Sequence, residues 1–185
     1  MVKRYVAPIA ATLFFFNFNV PEKQTTFLSY DFTQQEVSLA NQAADEWCNK
    51  TSHCVKFVYL GKSSATLTPR LDELTSSMFV MVNDLDAFDK VIGIDGSVTG
   101  DRAAACYRYN EHSPKHPSVI AVRDKRSNDW TKGGHCSDFY KTVLHELGHA
   151  FGRSHDPVAG NVMFGGILGM SCSLTWRDVG FSDEE

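Results

Sequence analysis

The chain is predicted to fold as an α+β domain: a twisted, mixed sheet of about five strands, an N-terminal helix, a histidine-bearing helix and a short C-terminal helix. Three observations predict this. First, 185 residues suffice for one domain with a substantial core. Second, apolar residues recur with period two in some segments and period 3.6 in others, in the order strand, helix, strand, strand. That order suits a sheet with at least one right-handed crossover. Third, the stretch "TVLHELGHAFGRSHDPVAGNVMFGG", Thr142 to Gly166, sets three of the seven histidines within eleven residues on a helical pattern.

Composition narrows the function classes. Apolar residues at 43% and charged residues at 22% are ordinary for a soluble globular chain. A net charge of -4 leaves no electrostatic footprint for nucleic acid, so that partner is excluded.

The N-terminus opens with Met1-Val-Lys-Arg and continues as "YVAPIAATLFFFNFNV", apolar apart from two asparagines. A membrane span needs about 20 residues, and this run is shorter. A basic start before a short apolar core predicts a signal peptide over residues 1–22, or an uncleaved N-terminal anchor where cleavage does not occur. Residues 23–185 then form the folded domain, secreted or periplasmic. Five cysteines (Cys48, Cys54, Cys106, Cys136, Cys172) fit an oxidising compartment, and none forms a CxxC pair. Cys48 and Cys54 are close enough to close a small loop and are the preferred disulfide. Pairing among the other three stays open.

The elements follow in order. "TTFLSYDF" (Thr25 to Phe32) has strand character. Thr33-Gln-Gln-Glu36 reads as a capping box, in which hydroxyl and carboxylate satisfy free N–H groups at a helix start. Val37, Ala40, Ala44 and Trp47 recur at helical spacing, so a helix runs from about Gln34 to Asn49. "CVKFVYL" alternates as a strand, and "SMFVMVN" is a continuous apolar run suited to burial on both faces. Asp84, Asp86, Asp89, Asp95 and Asp101 crowd the next loop. Calcium is the cofactor such oxygen ligands could take, though a solvated turn region accounts for them more simply. "AAACYRY" and "PSVIAVRD" are further strands. Pro117 and the charges bracketing the second suit a sheet edge. His112, His116 and His135 lie in polar loops and read as exposed side chains rather than ligands.

The crowded histidines are answered by helix geometry. Tyr140, Val143, Leu144, Leu147 and Phe151 form an apolar stripe for the core. On the opposite face His145 and His149 stand about 40° apart and one turn along, the placement two ligands of one metal ion require. Continuing the helix would carry His155 about 15 Å along the axis and roughly 80° off that face. The helix must therefore stop and the chain turn back, and Gly152 sits where the turn is needed because glycine accepts positive φ. Three neutral imidazoles leave a zinc ion its double charge and an open position, the arrangement of a catalytic site. Glu146 flanks the metal and could take a proton from water and pass it to a leaving amine. Asp156 directly follows a ligand and reads as a hydrogen-bonding neighbour of the site, not a fourth ligand. At this composition HExxHxxGxxH would arise by accident with probability on the order of 10⁻⁵, which disfavours a chance polar helix face.

"HELGHAFGRSHD" and the "NVMF" that follows resemble the extended signature and Met-turn of the metzincin clan of zinc endopeptidases. Met163, eight residues past His155, resembles the matrixin branch, while Asp156 is similar to the adamalysin pattern. The resemblance implies that Met163 forms a hydrophobic floor beneath the metal. It implies that substrate lies extended along an edge strand near Ser118 to Val122, and that "SLTWRDVGF" holds the C-terminal helix. The proline usual after the matrixin Met-turn is replaced by Phe164 and two glycines, and the histidine-rich structural zinc loop is absent. The expected molecule is a monomeric zinc endopeptidase acting on a protein or peptide substrate, restrained by an inhibitor protein. The rivals are a zinc amidase acting on cell-wall peptides and a binding protein of the same fold with weak turnover. Glu146 argues against the second rival, because a decayed site would be free to lose it.

Overall fold

The computed structural model describes residues 25–62, 75–82, 105–109, 117–123 and 129–180. The leader, the acidic stretch with its calcium reading, His112 and His116 lie outside the described residues.

Five strands form one sheet: β1 (Thr25–Tyr30), β2 (Val55–Tyr59), β3 (Met78–Val82), β4 (Ala105–Tyr109) and β5 (Ser118–Arg123), in the order β2-β1-β3-β5-β4. The first three pairings are parallel, and β4 alone runs antiparallel, against β5. The mixed α+β architecture is therefore present. α1 (Gln34–Thr51) crosses between β1 and β2, which must run the same way and so need a long connection. Its capping box forms as the sequence predicts: Thr33 Oγ1 accepts from Glu36 N–H at 3.2 Å, and Thr33 N–H donates to Glu36 Oε2 at 2.6 Å. The second carboxylate oxygen accepts from Trp130 Nε1 at 3.0 Å, which makes burial of this acid tolerable.

One expectation is corrected. Ser118 to Val122 is not an edge strand, because β5 lies between β3 and β4 and all five residues are buried. Proline and charges mark where a strand starts and stops, and they say nothing about what lies beside it. Among the described residues the outer strand on that side is β4. At the other edge, the Asn41 side chain takes the place of a neighbouring strand: its amide donates to Phe57 O and accepts from Phe57 N–H, both at 2.9 Å. That closes the middle of β2 against unwanted pairing.

α2 (Asp138–Ala150) and α1 pack together over the face of the sheet that carries Phe27, Phe57, Phe79, Ile120 and Val122. Trp47, fully buried, joins the two helices by donating Nε1–H to Leu144 O at 2.9 Å. α3 (Trp176–Val179) is a single turn at the end of the described chain. Two disulfides are formed, Cys48–Cys54 as the spacing predicts and Cys136–Cys172, which loop spacing left open. The remaining cysteine, Cys106, belongs to β4. Among the described residues no helix is long and apolar enough to cross a membrane.

Candidate metal centre

The site is built on α2. Ser137 caps it by accepting from Tyr140 N–H at 3.2 Å, and Tyr140, Val143, Leu144 and Leu147 enter the core. The helix ends in a Schellman turn: Gly152 N–H donates to His149 O at 3.0 Å, and Arg153 N–H to Gly148 O at 2.9 Å. Gly152 has φ +81, in the left-handed region where a side chain is strained, so the reversal uses the residue with least to lose there. His155 comes back over α2 immediately afterwards.

The result is a convergence of three ring nitrogens. His155 Nε2 lies 3.2 Å from His149 Nε2 and 3.2 Å from His145 Nε2, and the three ligand atoms fall within 4.8 Å of one another. Three nitrogens about 2.0 to 2.1 Å from one tetrahedral zinc would stand roughly 3.3 to 3.4 Å apart, so the spacing suits that ion. Tautomers point the same way. His145 Nδ1 is 2.8 Å from Val162 O, and His149 Nδ1 is 2.8 Å from Arg153 O. A carbonyl can only accept, so both Nδ1 atoms carry the proton and both Nε2 atoms present lone pairs. Burial pushes the His145 imidazole down to about 4, against the raising effect of its Val162 hydrogen bond, which keeps that ring neutral. The donor set fits a divalent metal.

Glu146, Met163 and Asp156 lie on the same segments that carry the triad or pack against them. Glu146 is 5% exposed and His145 4%, so this part of the helix lies under cover. The returning chain covers part of it, with Val162 O on His145 Nδ1 and Met163 against Gly148. Met163 is 2% exposed and packs against Gly148 of α2. Asp156 donates its N–H to Met163 O at 2.8 Å, pairing the third-histidine loop with the Met163 segment. The Asp156 carboxylate accepts from Val158 N–H at 2.8 Å and shapes its own turn, while main-chain carbonyls support the two helical rings. His135 is exposed, its ring lies against Tyr140, and it is not part of the triad.

Three residues were missed. Gly148 sits in the last turn of α2, where glycine still costs up to about 1 kcal/mol relative to alanine. A methyl there would run into the Met163 sulfur and come within 3.2 Å of Trp47 Cζ2. A glycine between two ligands at helical spacing was the available signal. Asp178, buried, accepts from Met163 N–H at 3.1 Å through Oδ1 and from Thr175 N–H at 2.7 Å through Oδ2. Thr175-Trp-Arg-Asp178 is a capping pattern and could have been read as one. Arg153 supplies the carbonyl for His149, and no sequence signal marks a main-chain acceptor.

The C-terminal segment is pinned to the two long helices by Glu46. Its Oε1 accepts from Leu174 N–H at 2.6 Å, and its Oε2 accepts from the Tyr140 hydroxyl at 2.7 Å. Lys50 Nζ donates to Leu174 O at 2.7 Å. Burial, and then the bond to Glu46, pushes the Tyr140 phenol up, so it stays a donor.

No family model matches the chain, and no curated protein matches it. Among solved structures it is similar to myroilysin, with 20% identity over 72% of this chain and 49% of the other, at a TM-score of 0.39. The chain thus spans about half the length of that protein. It is also similar to an archaemetzincin from Methanopyrus kandleri, with 14% identity over 87% of this chain and 93% of the other, at a TM-score of 0.46. At these scores the likeness carries no argument, and the metal centre rests on its own geometry.

Proposed function

We propose that this chain is an exported, matrixin-like zinc endopeptidase, monomeric and restrained by an inhibitor protein. The observation that carries the reading is the convergence of three Nε2 atoms, two of them held as lone-pair donors by main-chain carbonyls. Zinc held there would supply Lewis acidity toward a water and a carbonyl oxygen. His145, His149 and His155 would hold the ion, and Met163, packed against Gly148, would form the floor. Glu146 accepts a proton from the attacking water and delivers it to the leaving amine. Substrate lies extended beside β4, the outer strand among the described residues, since β5 has neighbours on both sides. A peptide there would add its backbone to the sheet, which favours extended chains over folded ones. Two disulfides support an oxidising compartment, and residues 1–22 are the proposed route to it.

Purified protein should contain about one zinc per chain, as three converging imidazoles require, and should cleave an unfolded protein in a chelator-sensitive way. Turnover of cell-wall peptides without cleavage of protein would favour the amidase. Zinc without turnover of either substrate would favour a binding protein.

A further inference from the structure

Resting on the metal-centre reading above, we propose that α3 is a bracket that positions both helical imidazoles, with Arg153 and Asp178 as its positioning residues. On one arm the Val162–Met163 peptide group is shared. Its carbonyl accepts from His145 Nδ1 at 2.8 Å, and its N–H donates to Asp178 Oδ1 at 3.1 Å. A carboxylate on the N–H side polarises the peptide and strengthens its carbonyl as an acceptor, which fixes the ring and makes its Nε2 a better ligand. Asp178 is itself fastened by the Thr175 N–H and hydroxyl, both at 2.7 Å from Oδ2.

On the other arm, the Arg153 carbonyl accepts from His149 Nδ1 at 2.8 Å while its N–H donates to Gly148 O at 2.9 Å. The guanidinium reaches away from the site, and Nη2 donates to Val179 O at 2.7 Å, at the last residue of α3. Gly180, with φ +80, lies against that guanidinium; a Cβ there would come within 2.5 Å of Nη1. Adjacent residues of α3, Asp178 and Val179, thus reach the two rings through one intervening group each. A four-residue helix has too few internal bonds to hold itself together. It stands because these contacts hold it, so α3 and the centre order one another.

The test compares Arg153→Met, which keeps the aliphatic stem without a donor, with Arg153→Lys, which keeps a donor. Zinc affinity is read by chelator competition in the full chain, alongside the visible spectrum of the cobalt-loaded protein and the thermal midpoint of the metal-free form. Arg153→Met should bind zinc roughly tenfold or more weakly, with shifted cobalt bands and a near-normal metal-free midpoint, while Arg153→Lys stays within about threefold of wild type. Wild-type affinity and spectrum in Arg153→Met would overturn the bracket and leave the metal centre standing. Equal losses in the Met and Lys variants would also overturn it, since the donor would then be irrelevant. If Arg153→Met does not fold, Gly180→Ala crowds the same guanidinium and is judged by the same criteria. A wild-type protein that binds no zinc removes the metal centre and the bracket with it.

Discussion

His145 and His155 bring their Nε2 atoms to the same point, but the molecule builds the two ends of the triad by different means. His145 is 4% exposed, sits mid-helix on the core-packed α2 and has its ring held by Val162 O. His155 is exposed, on a loop reached through the Schellman turn at Gly152. At the helical end, spacing follows from backbone geometry and the ring is oriented even without metal. At the loop end, position depends on a turn and on the Asp156–Met163 backbone bond, so this is the end that a bound ion would steady most. The lesson is that one candidate metal site can join a half fixed by the core to a half carried on a turn.

The largest expected effect lies in the helical half. Glu146→Gln should keep zinc and fold yet lose turnover by about 10³- to 10⁴-fold, because the amide matches the carboxylate in shape but cannot accept a proton. Initial rates on an unfolded protein, with zinc content measured in both forms, check this. Equal, chelator-sensitive rates would show that the base lies elsewhere.

Removing a ligand from each end sharpens the comparison directly. Both His145→Ala and His155→Ala should lose zinc. In the metal-free form, however, His145→Ala leaves the Val162 carbonyl without its partner in a buried place, at a cost of about 1 to 3 kcal/mol. His155→Ala changes an exposed loop residue and should stay within about 0.5 kcal/mol of wild type. Denaturant unfolding of the metal-free proteins distinguishes them, and equal destabilisation would break the two-halves account.

Glycine substitutions probe the same division. Gly148→Ala forces a methyl against Met163 and Trp47, and should destabilise the protein by about 1 to 3 kcal/mol through overpacking. Gly152→Ala meets no neighbour within 4 Å, so its cost is the left-handed backbone alone, about 1 to 2 kcal/mol. Its metal affinity should fall more than its stability suggests, because the turn sets where His155 lands. Thermal midpoints with and without zinc would show whether the metal-dependent part differs between the two. The smallest effect is expected for Met163→Leu, a near volume-conserving change costing under about 1.5 kcal/mol. It should keep zinc and most activity; outright loss of zinc from folded protein would mean the sulfur does more than pack.

How much of this could be read beforehand depended on reach along the chain. The pattern of Val37, Ala40, Ala44 and Trp47 located α1, and Thr33 with Glu36 located its start. Neither needs knowledge of what lies across the fold. The reading of Pro117 to Asp124 as an edge went wrong for the same reason, since lateral neighbours are chosen by segments elsewhere in the chain. Glu46 shows the limit well. It looks like a surface acid on α1, yet it ties Leu174 and Tyr140, 128 and 94 residues away, into one network.

What the sequence by itself determined is local: the helical spacing of His145 and His149, the need for a turn at Gly152, the Thr33–Glu36 capping pattern and the short Cys48–Cys54 loop. Each follows from steric and hydrogen-bonding rules that act within a few residues. Tertiary structure decided the rest: β5 in the sheet interior, Cys136 joined to Cys172, Met163 packed on Gly148, Val162 O on His145 and Arg153 on Val179. Main-chain carbonyls are the same at every residue, so a sequence carries no mark of which one will hold a histidine ring. That choice is made only when packing brings distant segments within hydrogen-bonding distance and shuts the buried donors away from water.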